Sequence, residues 1–60
     1  MRELSTAELE LVYDHLAQAI DRVGPEQAPL YLTKLALLSA GALGSLQIFV
    51  ELSNKAIQDL

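Results

Sequence analysis

Residues 30–50, LYLTKLALLSAGALGSLQIFV, decide how this chain can fold, because Lys34 is the only charged residue among them. At helical period the first part of this segment is apolar on nearly every side. Its apolar lines are Tyr31, Leu35, Leu38 and Ala42, then Leu32, Ala36 and Leu43, then Leu30, Leu37 and Gly41. A helix without a polar face has to be covered all round, either by lipid or by the other helices of a bundle.

The length of the apolar run separates these two environments. Between Lys34 and Glu51 lie 16 uncharged residues, whereas a hydrocarbon core needs about 20 apolar residues. Gly41 and Gly44 dilute the run further. We therefore expect a buried helix of a bundle, and the alternative is a small membrane-associated or single-span protein that uses residues 35–50.

Size and composition predict that one copy of the chain cannot cover its own apolar residues. The chain forms at most one domain, residues 1–60, and a chain this short buries only about 60% of its unfolded surface. It has no cysteine and one histidine, so disulfides are excluded and a structural zinc site is not expected. Hydrophobic residues make up 52% of it. We therefore predict a homo-oligomer, with a dimer as the first expectation.

The charge pattern disfavours several classes of partner. The net charge is −4 and the four basic residues are scattered, so there is no basic stripe for phosphates and we expect no nucleic-acid partner. A membrane partner is disfavoured by the short apolar run. The first ten residues, MRELSTAELE, lack the apolar core of a signal peptide, so we expect a cytoplasmic protein.

The N-terminal part predicts an amphipathic helix with defined ends. Ser5 and Glu8 have the spacing of a capping box, and the apolar period then predicts a helix over Thr6–Val23. Gly24 can supply a left-handed residue after this helix, and Pro25 prevents its continuation. The apolar face of the helix consists of Leu9, Val12, Tyr13, Leu16, Ile20 and Val23.

Two prolines predict where the second helix starts. Pro25 and Pro29 lie four residues apart, and within one helix the ring of Pro29 would clash with the carbonyl of Pro25. We therefore expect a turn or short 3₁₀ segment over residues 25–28. Pro29 then lies near the first position of helix two, which reaches about Leu43.

The Gly44–Ser45 pair predicts a break followed by a third helix. Gly44 has the position of a terminating glycine, and Ser45 that of an N-cap for a helix from Leu46 to about Asp59. The alternative is one helix that kinks at Gly44 and continues, because a glycine inside a helix costs only about 1 kcal/mol. Helix three has two apolar lines, Phe49, Leu52 and Ala56 beside Leu46, Val50, Ile57 and Leu60.

These elements predict an all-α fold, a small three-helix unit in which a helical hairpin is followed by a third helix. More than half of the circumference of helix three is apolar, so we expect the units to pack as a homo-oligomeric bundle through helices two and three. The predicted oligomer interface consists of Leu35, Leu38, Ala42, Leu46, Phe49, Val50, Leu52 and Ile57.

No group of residues in the sequence has the pattern of a catalytic or metal site. His15 is the only histidine, and although Asp14 and Glu10 share a face, His15 does not point with them. A metal or catalytic role would need a second nitrogen or a convergent carboxylate, so we interpret His15 as an exposed helix residue. The hydroxyl residues Thr33, Ser39 and Ser45 have no paired base. We expect no enzyme activity and no cofactor.

Two further patterns are interpreted as packing. Tyr13 and Tyr31 lie on apolar faces, where a tyrosine usually packs its ring and leaves its hydroxyl at the rim. Ala36, Ala40 and Gly44 are spaced four apart, which allows a second helix to approach closely. In a soluble bundle this line would mark where helix two crosses a neighbour.

Residues 12–45 carry a pattern of an aromatic residue, leucine and alanine, then Glu-Gln, a basic residue, a leucine-rich run and Gly-Ser. The matching positions are Tyr13, Leu16, Ala19, Glu26, Gln27, Lys34, Leu35, Leu37, Leu38, Ala40, Gly44 and Ser45. This stretch resembles a family of short bacterial helical domains of unknown function. The sequence departs from that pattern at Leu32 and Gly41, where the family tends to carry asparagine. The resemblance implies a small helical, self-associating protein and adds no catalytic residue.

The functional prediction is a non-enzymatic, self-associating module that acts as an interaction or accessory protein. Its expected partner is a second copy of the chain, and another protein is the further possibility. The prediction depends on two observations: the chain has an excess of apolar residues, and no group of residues has the pattern of a catalytic or metal site.

Overall fold

The structure is a computed structural model that describes residues 3–58 and residue 60. It contains three helices, α1 (Thr6–Val23), α2 (Ala28–Leu43) and α3 (Leu46–Gln58), and no strand within that part of the chain. The predicted all-α, three-helix unit is confirmed. The predicted end of helix three near Asp59 lies outside the described residues.

The predicted capping box starts α1. The Ser5 hydroxyl accepts a hydrogen bond from the Glu8 backbone N–H at 3.1 Å, and the Ser5 N–H donates to Glu8 Oε1 at 2.9 Å. Two N–H groups that the first turn cannot satisfy internally are thereby paired. The start of α1 is therefore encoded by residues within its own first turn.

The end of α1 differs in one respect from the prediction. Gly24 has φ 84° and ψ 164°, so its φ is positive as expected but its ψ is extended, and the prediction of a left-handed helical conformation is wrong. This region of φ and ψ is open essentially to glycine alone. The extended ψ turns the chain away from the α1 axis. The Gly24 carbonyl then accepts the N–H groups of Gln27 at 3.2 Å and Ala28 at 3.0 Å, which form the turn before α2.

The α2–α3 connection is the predicted glycine and serine pair. Gly44 is left-handed, with φ 74° and ψ 18°, and its N–H donates to the Ala40 carbonyl at 3.0 Å. The Ser45 hydroxyl accepts the N–H of Ile48 at 3.2 Å and caps α3. The alternative of one helix continuing through Gly44 is therefore wrong. Pro29 lies in the first turn of α2, as predicted.

The three helices make an open chain of contacts rather than a closed bundle. Within the described part, α1 contacts α2 and α2 contacts α3, whereas α1 and α3 do not meet. None of the described residues is fully buried. The apolar residues that are partly buried are Leu16, Ala19, Ile20, Val23, Ala28, Tyr31, Leu35, Ala36, Ala40, Leu43 and Phe49. Neighbouring helices therefore cover each other mainly near the turns that connect them.

Candidate interaction surface

The first exposed apolar area is the outer half of α1, which we define as residues 6–14. Leu9, Val12 and Tyr13 are exposed here, although Leu16 and Ile20 on the same face are partly buried. The apolar period of α1 is continuous, but only its C-terminal half is covered. The sequence predicted the face correctly and could not predict that half of it lacks cover.

The second exposed area is the open side of α2, formed by Leu30, Leu37 and Leu38 around Lys34. The rest of the helix circumference carries the partly buried residues that meet α1 and α3. One chain therefore covers α2 on one side only, and the expectation that the helices of an oligomer cover the rest stays a prediction. A helix with neighbours on one side only leaves its remaining apolar lines in solvent.

The third exposed area is the outer part of α3, which we define as residues 50–58. Phe49 is the one residue of α3 that is partly buried, whereas Val50, Leu52 and Ile57 are exposed. Of the two apolar lines of α3, one is therefore covered at Phe49 alone, and the line of Leu46, Val50 and Ile57 is exposed. Leu46, at the start of the helix, is 80% exposed.

The residues predicted for the oligomer interface fall into two groups in a single chain. Leu35 and Phe49 are partly buried by neighbouring helices and so already serve the fold. The other six are exposed: Leu38, Ala42, Leu46, Val50, Leu52 and Ile57. That these six residues form an oligomer interface stays a prediction, but all six are accessible to a partner.

Sequence reasoning did not include Leu9, Val12, Leu30 and Leu37 among the interface candidates, although all four are exposed. Leu30 and Leu37 lie seven residues apart on one helical line, a spacing that could have indicated them. Leu9 and Val12 carried no such signal, because their apolar period is the same as that of the covered half of α1.

The tyrosines have different surroundings. Tyr31 is partly buried where α2 meets α1, and it lines two clefts together with Val23. Its predicted packing is confirmed. Tyr13 is 73% exposed, so α2 does not cover it within one chain, and its predicted packing stays a prediction.

His15 is exposed, as predicted. It lies at a cleft that Arg22 and Tyr31 also line. Among residues 3–58 and 60, no group of three or more His, Asp or Glu side chains could hold a metal ion. The side chain of Thr33 donates to the Pro29 carbonyl at 2.9 Å, a bond internal to α2. Its hydroxyl is thereby engaged in the first turns of the helix rather than with a base.

The 35–50 segment is not one helix. Residues 35–43 belong to α2 and residues 46–50 to α3, which are separated by Gly44 and Ser45. No helix in the described part of the chain is long and apolar enough to cross a membrane.

The accessible surface of the chain is larger than that of a closed domain. It amounts to 5482 Å², against about 3,800 Å² for a compact monomer of this mass. The Cα radius of gyration is 12.6 Å, against about 10 Å for a compact chain of this length. The excess of roughly 1,650 Å² measures the surface that closed packing would bury.

The chain was compared with known proteins at the levels of family, sequence and structure. No protein-family model, curated protein or solved structure matches it.

Proposed function

We propose that this chain is a non-enzymatic helical module that works by self-association, in which a second copy covers apolar surface that one copy leaves exposed. The observation that carries the proposal is the excess accessible surface of roughly 1,650 Å² per chain. A standard protein interface buries about 800 Å² per partner. The excess is about twice that amount, in the range of obligate dimers.

The chemistry of the exposed surface supports the same proposal. The large apolar side chains that are exposed on the three helices are mostly leucine, isoleucine and valine. Surfaces of this composition resemble a domain core that has been cut in half, which is typical of obligate homodimers. The proposal includes a role as an interaction or accessory protein and a cytoplasmic location. It also includes the resemblance to short bacterial helical domains.

Sedimentation equilibrium of the purified chain tests the proposal. We expect the mass of a dimer at micromolar concentration, without detergent and without any added partner. A folded, helical monomer at that concentration would contradict the proposal.

A further inference from the structure

The two ends of the chain carry exposed apolar segments of matching size. The outer half of α1 (residues 6–14) exposes Leu9, Val12 and Tyr13, and the outer part of α3 (residues 50–58) exposes Leu52 and Ile57. At helical rise each segment is about 13 Å long. Each also lies at the end of its helix that is remote from α2, so neither can be covered by α2 without a change of fold.

The two segments do not cover each other within one chain. Among the described residues α1 makes no contact with α3. The direction of α3 is set by the short connection after α2, where Gly44 is left-handed and the Ser45 hydroxyl caps the new helix. The chain thus presents two separate apolar segments that both face solvent.

Charge selects among the possible pairings of these segments between two copies. The outer half of α1 carries Glu8, Glu10 and Asp14 and no lysine or arginine. Packing this segment against its own copy would bring like charges together, which costs free energy. The outer part of α3 carries one basic and one acidic residue, Lys55 and Glu51, so it has no net charge and can lie beside the acidic segment at a lower cost than a second acidic segment.

We propose that two copies of the chain exchange ends, so that the outer part of α3 of each copy packs on the outer half of α1 of the other. A two-fold axis produces this contact twice, and the two contacts together cover both exposed segments of both copies. The inference rests on the proposed self-association and adds which surfaces meet. It leaves the open side of α2, with Leu37, outside the exchanged contact.

Cysteine cross-linking tests the exchange directly, because the natural chain has no cysteine. A Leu9→Cys chain is mixed with a ¹⁵N-labelled Leu52→Cys chain, unfolded and refolded together, and linked with a short flexible bis-maleimide. Mass spectrometry then separates mixed from unmixed pairs by isotope content. A Leu37→Cys chain serves as control, since its side chain is at least as exposed as the other two.

We expect mixed Leu9→Cys to Leu52→Cys pairs to exceed pairs of Leu9→Cys with itself by at least about tenfold, the ratio that 1.4 kcal/mol of preference produces. The Leu37→Cys chain should link to neither at a comparable yield. Predominant Leu52→Cys self-pairs, or efficient linking of Leu37→Cys, would overturn the exchange while leaving a dimer. A monomeric mass for the unlinked variants and the natural chain would overturn the proposed function as well.

Two further measurements cover the remaining outcomes. A chain that carries both Leu9→Cys and Leu52→Cys should link between copies, and an internal link at monomer mass would mean that one chain closes on itself, which overturns both proposals.

The natural chain needs no substitution for carbodiimide coupling in an equal mixture of ¹⁴N and ¹⁵N protein. We expect mixed-isotope products that join Lys55 to an acidic residue of α1, and their absence would overturn the exchange.

Discussion

The contact between α1 and α2 and the outer part of α3 are built from similar residues but have different surroundings. At the α1–α2 contact Leu16, Ile20 and Tyr31 are partly buried, whereas Leu52 and Ile57 in α3 are exposed. Both α1 and α3 begin with a serine N-cap. The difference shows that local signals are sufficient to define the helices, while apolar cover depends on where two helices lie close together.

The largest expected effect comes from placing a charge in the outer part of α3. Ile57 is 63% exposed and Leu11, on the polar side of α1, is 68% exposed, so a single chain would tolerate lysine equally at both. In the dimer, Ile57→Lys buries an ammonium group among apolar side chains, which costs about 3 kcal/mol. We expect its dimer dissociation constant to rise at least about tenfold, as measured by sedimentation equilibrium.

Leu11→Lys is the matched control, and we expect it to leave the dissociation constant within about twofold, since a surface change is worth less than about 0.5 kcal/mol. Equal effects of Ile57→Lys and Leu11→Lys would contradict a specific role for the outer part of α3.

The next prediction compares two leucines of α2. Leu35 is partly buried and Leu37 is 68% exposed. Leu35→Ala should lower the free energy of unfolding by about 2 kcal/mol, at the lower limit for buried leucines because its burial is partial. Leu37→Ala should cost less than about 0.5 kcal/mol. Urea unfolding at one fixed chain concentration measures both free energies. A larger loss for Leu37→Ala than for Leu35→Ala would show that the open side of α2 is buried in solution, which would contradict the account.

The glycines offer a third comparison, between a connection and a helix interior. Gly24 has φ 84° with extended ψ, and a Cβ there would meet no atom within 4 Å, so the cost of Gly24→Ala is purely conformational. We expect a loss of about 1.5 kcal/mol. Gly41 lies inside α2 with open space around it, so Gly41→Ala should stabilise by up to about 1 kcal/mol. Thermal unfolding of the two variants side by side gives the sign of each change.

The smallest expected effects concern the caps. Ser5 takes part in two hydrogen bonds with Glu8, whereas Ser45 accepts one from Ile48. We expect Ser5→Ala to cost about 1 kcal/mol and Ser45→Ala about 0.5 kcal/mol. Ser39→Ala, at an exposed position inside α2, is the control and should not destabilise, because alanine is the better helix former. Circular dichroism at fixed concentration measures all three, and equal losses at the three serines would contradict the assigned caps.

Much of the fold could be predicted because its determinants are local. The capping box at Ser5, the break at Gly44 and the cap at Ser45 depend on residues a few positions apart, and the structure has each of them. The ψ of Gly24 could not be predicted in this way, since a positive φ admits more than one value of ψ. That angle depends on the path of the turn into α2.

The candidate surface could be predicted only in part. The apolar faces of α1 and α3 follow from period, but the exposure of Leu9 and Val12 depends on how far α2 extends alongside α1. Tyr13 illustrates the same limit, because it has the period of a packed residue and is exposed. Local pattern therefore predicts which face is apolar, whereas the distance between helices decides which part of that face is left for a partner.

Thermal unfolding at a series of chain concentrations tests the central claim most directly, that the fold is completed by a second copy. If folding and association are coupled, the midpoint of the helical transition rises with chain concentration. We expect a rise over a hundredfold range, from low micromolar upward, that follows a two-state dimer. A cooperative transition with the same midpoint at every concentration would contradict the account.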